Sequence, residues 1–441
     1  MKLIFQPSGT AASLLADSHA GCESWWEHIS ALGTPIIEDA SNHQAKATFF
    51  WRAPDGDEQT STLSRVYIDI NGITSYRLPQ PQCLQRLPKT DIWYCSVSLD
   101  DDWRGSYRFI PVTDAYLPPP FSQDIKQKQQ QQREWWISLF PFSTPDPLNR
   151  QDQHSSGIGL LWSAMHMPYA PDQSIWAQSA IDPSDTASIG KTTLLHLDWH
   201  SERLNNQRRV WLYATGEATE QPRPLIILLD GLSWAEKMPI FPVIDAATEA
   251  QQLPEAIWLL VDSIDMFYRD QELPCNPDFW QAIQDELLPM ISQYAVFSDD
   301  PAKTVIAGQS YGGLAALYAA LHWPQRFGCV LTQSGSFWWP DSAIVQQFQS
   351  SSEHQPGWLT QQVLDKKVAP SSLKIFQEAG SREADIHFVN DQMHAALIAA
   401  GHHVNYRVFN GGHDMLCWRG GLIDGLSWLL AEKVSGSSWS K

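Results

Sequence analysis

Basic residues are scarce in this chain, cysteine is rarer still, and no apolar stretch is long. Lys and Arg number 30 against 49 Asp and Glu, a formal charge of −19. A deficit of that size argues against a nucleic-acid partner, because phosphate binding needs a basic face. The six cysteines, Cys22, Cys83, Cys95, Cys275, Cys329 and Cys417, stand far apart with no C-x-x-C pair. Such spacing argues against a zinc site or a disulfide framework and for reduced thiols in a cytoplasm. No apolar run approaches the ~20 residues of a membrane span. Gln6, Pro7, Ser8 and Gly9 interrupt any signal-peptide apolar region. The expectation is a cytoplasmic protein without a membrane partner.

What the chain has is aromatic and apolar mass. Hydrophobic residues make up 43% and tryptophans number 21, a globular composition. At 441 residues the chain exceeds one ordinary core, so two domains are expected. From about residue 45 to 112, short strand-forming runs alternate with turn clusters: 46–51 (KATFFW), 66–70 (VYIDI) and 106–110 (SYRFI). Turn signals such as Asn71-Gly72 separate them, which predicts a small β-sandwich; a short helix is expected before it, over 22–32. Pro118-Pro119-Pro120 and the glutamine run 126–132 read as linker or surface, since they bury little apolar area. The assignment is therefore 1–150 as an N-terminal β-sandwich domain, 151–190 as a tether and 191–441 as a catalytic domain. In the last, strand candidates at 209–215, 225–229, 256–261, 304–307, 329–332, 373–377 and 404–409 alternate with helical patterns. Continuous apolar strands between helices predict an α/β fold with a mostly parallel sheet covered on both faces. Ligands of such sheets bind at the carboxyl ends of the strands.

Gly308-Gln309-Ser310-Tyr311-Gly312 is a G-x-S-x-G pattern lying between a predicted strand and a predicted helix. That context is the nucleophile elbow of an α/β-hydrolase. Two glycines remove side chains that would collide at so tight a turn, and the helix N-terminus favours negative charge at Ser310. The bland alternative is a Ser-Gly turn that caps a helix.

A serine hydroxyl needs a base. Among fourteen histidines, His413 stands out in Asn410-Gly411-Gly412-His413-Asp414, just past the last predicted strand. An imidazole there can reach back to the serine. The acid is expected between serine and histidine in chain order, after the strand at 373–377. Glu383 is the choice, with Asp385 and Glu378 as alternatives; Asp414 is expected to organise the histidine loop. The backbone N–H of Tyr311, which follows the nucleophile, is one expected oxyanion donor, and that of Leu232, after the strand at 225–229, is the other. Loss of one such donor typically costs about 3 kcal/mol of transition-state stabilisation.

Several blocks around these residues resemble one family, the iron(III)-enterobactin (enterochelin) esterases within the esterase-D-like α/β hydrolases. They include Leu228-Leu229-Asp230-Gly231, Glu272-Leu273-Pro274-Cys275-Asn276, Gln333-Ser334-Gly335-Ser336, and Cys417-Trp418-Arg419-Gly420-Gly421. Thr48-Phe49-Phe50-Trp51-Arg52 and Trp103-Arg104-Gly105-Ser106-Tyr107 carry the likeness into the N-terminal half. Tyr311 stands where the family has phenylalanine. The resemblance implies cleavage of the ester bonds of a ferric catecholate siderophore trilactone in the cytoplasm, with iron release. It implies no cofactor, the iron being carried by the substrate. Two other readings stand beside it: a general carboxylesterase or feruloyl-type esterase, and a non-catalytic siderophore-binding or carbohydrate-binding protein.

A ferric tris-catecholate carries about three negative charges, which an acidic chain repels at long range. Converging arginines must offset this, since Arg pairs with anionic oxygens and stacks on rings. Arg269, Arg382 and Arg419 are the candidates, with Trp418 as an aromatic wall; a surface ion pair is the alternative for each. Arg419→Ala is therefore expected to raise KM for the ferric siderophore more than for a small neutral ester. Equal effects in steady-state assays would remove the clamp.

Overall fold

Aromatic and β-branched runs in the first half of the chain become strands because such side chains fit a pleated, half-buried surface. In the computed structural model they are β1 (Ile4–Phe5), β2 (Ile36–Asp39), β3 (Gln44–Arg52), β4 (Arg65–Ile70), β5 (Gln85–Arg86), β6 (Ile92–Asp100), β7 (Arg104–Val112), β8 (Gln153–Ser155) and β9 (Leu161–His166). The residues described are 4–39, 42–78, 80–151, 153–155, 160–177, 194–217, 219–346 and 349–431. One sheet has the order β1-β6-β3-β2 with β5 on β6, and a second runs β4-β7-β9-β8. Phe49, Trp51, Trp93 and Val97 of the first share a core with Ile68, Tyr107 and Phe109 of the second. The N-terminal region thus contains the expected antiparallel sandwich.

Two expectations here are corrected. The glutamine run lies mostly at the surface, as one of its two readings had it, but it is part of a helix rather than a linker: Ile125–Ser138, whose N-terminus is capped by Asp124 accepting from Gln127 N–H at 2.9 Å. Glutamine is a good helix former, and the helix is held by Trp135 and Trp136, which pack on Tyr67. The tether assigned to 151–190 also begins too early: β8 and β9 lie inside it, and β9 pairs with β7. Residues 178–193 of that tether lie outside the described residues. The chain divides into one unit of residues 1–172 with 410–417, and another of 173–409 with 418–441.

The second unit holds β10 (Leu195–Ser201), β11 (Asn206–Ala214), β12 (Leu225–Leu229), β13 (Ile257–Val261), β14 (Thr304–Gln309), β15 (Cys329–Gln333), β16 (Lys374–Gly380) and β17 (His403–Phe409). They form one sheet in the order β10-β11-β13-β12-β14-β15-β16-β17. β11 is antiparallel to both neighbours, and the strands from β13 to β17 are parallel. This is the α/β-hydrolase sheet. Every residue of β12, β13, β14 and β15 is buried. The order reverses between β12 and β14, and that is where an open α/β sheet forms its ligand crevice. No helix among the described residues is long and apolar enough to cross a membrane.

One row of polar side chains crosses this sheet in register: Gln309 beside Gln333, Gln333 beside Glu378, Glu378 beside Arg407. Trp234 Nε1 donates to Gln309 Oε1 at 3.0 Å, and Gln309 Nε2 donates to Gln333 Oε1 at 2.8 Å. Gln333 Nε2 donates to both Glu378 Oε1 and Trp418 O. Arg407 then grips Glu378 Oε2 through Nε and Nη2 and reaches Asp424 through Nη1. Burial pushes the Glu378 carboxyl up, with Arg407 opposing. Arg407→Met leaves that carboxyl without its cation and is expected to cost about 3 kcal/mol of stability. Calorimetry should show the loss as a lower Tm, recovered largely in the Arg407→Met/Glu378→Gln double variant.

Candidate active site

Non-glycine residues with positive φ gather where the parallel strands end. Asp230 follows β12 with φ 57°, Ser310 follows β14 with φ 56° and Ser334 follows β15 with φ 48°. L-residues hold this region at a cost of order 1–3 kcal/mol, and such strain clusters at functional sites. The elbow at Ser310 is enforced by two glycines: a Cβ on Gly308 would lie 2.4 Å from the backbone of Gly312. Ser310 N–H donates to Gln333 O at 3.0 Å, while its carbonyl accepts from Leu314 N and Ser336 N. The bend therefore has no room to relax. Its hydroxyl stands half-exposed, 3.3 Å from Ser336 Oγ, at the N-terminus of the helix Tyr311–His322.

Of the three candidate acids, Glu383 is built into the strand ends. Its Oε2 accepts from Gly380 N at 2.8 Å and from Ser334 Oγ at 2.8 Å. Glu378 is fully buried and committed to Arg407. Asp385 opens the helix Asp385–Ala399. Trp418, expected as an aromatic wall, is only 7% exposed and donates through Nε1 to Ser334 Oγ at 2.9 Å. The preceding run gave no warning, because a tryptophan beside an arginine reads equally as surface or core.

His413 lies in the first unit, on a loop gripped by sandwich residues. Arg104 N–H donates to Asn410 O at 3.1 Å, and Asn71 Nδ2 donates to His413 O at 3.0 Å. Asp414 is buried; it accepts from Ser106 N at 2.6 Å, from Ser106 Oγ at 2.8 Å and from Leu416 N at 3.0 Å. Asp414 thus organises the loop rather than offering itself to a substrate.

Tyr311 opens the helix after β14 and Leu232 caps the helical turn after β12, and these two strands pair in register. Gly231 is needed because a Cβ there would meet the Val261 backbone at 2.9 Å. Arg269 is ion-paired with Asp230 at 2.7 Å and lies 5.7 Å from the Tyr311 ring centroid. Burial raises the Asp230 carboxyl, but the Arg269 guanidinium outweighs it and holds the group below its usual range. Arg269 is thereby tied to the segment after β12, through a partner the sequence did not reveal. Arg419 donates through Nε to Gln173 at 2.7 Å and lies over Trp176. Arg382 sits half-buried on the turn Ser381–Glu383. Ser334, Ser336 and Asp230 were given no role by sequence reasoning; Asp230 directly follows the strand predicted at 225–229, whereas Ser334 and Ser336 lie two and four residues past the one predicted at 329–332.

Residues 46–176 match the family model "Enterochelin esterase, N-terminal", and residues 201–429 match "Putative esterase". The chain is 54% identical over 426 residues to the iron(III) enterobactin esterase of Dickeya dadantii, covering 96% of this chain and 97% of that one. The crystal structure of ferric enterobactin esterase from Salmonella typhimurium superposes with a TM-score of 0.81 at 42% identity, over 92% of this chain and 98% of that one. The Shigella flexneri enterobactin esterase, solved in the presence of enterobactin, gives 0.78 at 42% identity, over 93% and 98%.

Asp414→Ala leaves the Ser106 amide and hydroxyl without their acceptor. The expected loss is about 1–3 kcal/mol of stability, measurable as a lower midpoint in urea unfolding.

Proposed function

Because the chain belongs to the enterochelin esterase family, we propose that it hydrolyses the ester bonds of a ferric catecholate siderophore trilactone by a serine mechanism. Ser310 Oγ attacks the ester carbonyl while His413 removes its proton. The oxyanion is received by the N–H groups of Tyr311 and Leu232, aligned before the charge develops. His413 then returns the proton to the leaving alkoxide, and water repeats the sequence on the acyl-enzyme. Glu383 fixes the imidazole tautomer and stabilises the imidazolium. The iron enters as the substrate's cargo and takes no part in these steps. Opening the trilactone unlinks the catecholates, so they hold iron more weakly.

The observation that carries this reading is the strained, glycine-locked bend at Ser310. A binding protein has no use for a hydroxyl held there. The clamp for the anionic substrate is proposed on Arg382 and Arg419, with Arg269 acting through Asp230 and the face of Tyr311. We place the reaction in the cytoplasm. Burial pushes the thiols of Cys95, Cys275 and Cys329 up, the last to about 11, which suits inert, reduced cysteines.

Product analysis with ferric and apo enterobactin tests the proposal. Wild type should release linear dihydroxybenzoylserine products, and Ser310→Ala or His413→Ala should lower kcat by about 10⁴-fold or more. Undiminished hydrolysis by Ser310→Ala would sink the serine mechanism. Faster turnover of p-nitrophenyl esters than of the siderophore would favour a general carboxylesterase instead.

A further inference from the structure

Ser334 stands one residue past β15 with its N–H bonded to Glu378 O at 2.7 Å. Its φ of 48° is one that a serine holds only under constraint. The constraint is visible in the side chain. Trp418 Nε1 lies 2.9 Å from Ser334 Oγ, and Glu383 Oε2 lies 2.8 Å from the same oxygen. An indole N–H can only donate, and an ionised carboxylate can only accept. A hydroxyl between them has one arrangement left: it accepts from Trp418 and donates to Glu383. The hydrogen of Ser334 is thus aimed by chemistry, whatever its torsional freedom.

Two donors converge on one carboxylate oxygen. Gly380 N–H and Ser334 O–H both reach Glu383 Oε2, each at 2.8 Å. A carboxylate oxygen has about two lone-pair sites, so Oε2 is filled.

We propose that Ser334, backed by Trp418, is a positioning residue of the reaction: it saturates Oε2 of Glu383 and so assigns Oε1 to the imidazole of His413. The proposal rests on the reading of Glu383 as the acid. It gives Trp418 a task behind the acid instead of against the substrate, which accounts for its burial. The hydroxyl does not touch the substrate; it acts through Glu383 alone. Its removal should therefore slow turnover without weakening binding, and should do nothing once Glu383 is gone.

The test is a double-mutant cycle in the full-length enzyme with ferric enterobactin as substrate. Ser334→Ala should lower kcat about tenfold, the scale of one hydrogen bond to a charged group, with KM within about twofold of wild type. In a Glu383→Gln background the same substitution should lower kcat by less than about twofold, since coupled residues are not additive. Trp418→Phe keeps the ring and deletes the N–H. It should lower kcat about threefold and couple to Glu383 in the same way; it serves in the cycle if Ser334→Ala does not fold by circular dichroism. Equal losses in both backgrounds, or a loss confined to KM, overturn the proposal. Wild-type kcat in Ser334→Ala alongside a crippled Glu383→Gln overturns it too and leaves the acid in place. Wild-type kcat in Glu383→Gln brings down the acid assignment itself.

Discussion

Glu378 has no exposed surface, and the second unit is arranged around keeping its carboxylate paired. An isolated charge at such depth is tolerated only with excellent geometry and every lone pair satisfied. Gln333 donates to one of its oxygens and Arg407 to the other, and both come from adjacent strands at the same register level. A slip of one residue between any of these strands would turn the partner to the opposite face. The row therefore keys the sheet's alignment. Because Ser310 follows Gln309 and Ser334 follows Gln333, the same alignment sets where both serines emerge. Gly421 completes the fit, since a Cβ there would lie 1.9 Å from Glu378 Oε1.

What could be read in advance follows from how local each cause is. The elbow at Ser310 was legible because its sterics involve Gly308 and Gly312, four residues apart. The strands β12 to β15 were legible because each is a short apolar run between breakers. The polar row was not: its members lie on four strands, and each glutamine alone reads as a loop residue. Glu378 looked like a candidate acid because Arg407 is 29 positions away and only the fold brings it near. The helix Ile125–Ser138 was missed for another reason. Composition suggested linker or surface, whereas the cap at Asp124 and the paired Trp135 and Trp136 marked an anchored helix.

The site itself is a set of reciprocal constraints more than a set of reactive groups. Asp230 holds Arg269, and Arg269 reaches across to Gln309 O and the Tyr311 ring. Ser310 is pinned through its amide to the strand carrying Gln333. Ser310 and Ser334 are thus each fixed from a neighbouring strand, and rigid strands place groups more accurately than loops can. Two of the arginines show the same economy: Arg269 is held by Asp230 and Arg419 by Gln173, so their orientations are set within the fold.

The path of the chain has a consequence for synthesis. Residues 410–417 belong with the first 172 residues, although the sequence on either side of them builds the second unit. A ribosome delivers the chain from its N-terminus, and domains generally fold as they emerge. Here the sandwich leaves the tunnel with Asn71, Arg104 and Ser106 still lacking the loop they will hold. Its last contacts wait until residues 410–417 have emerged. Translation truncated anywhere before the loop yields no finished first unit, so the cell cannot accumulate a complete N-terminal half from broken messages.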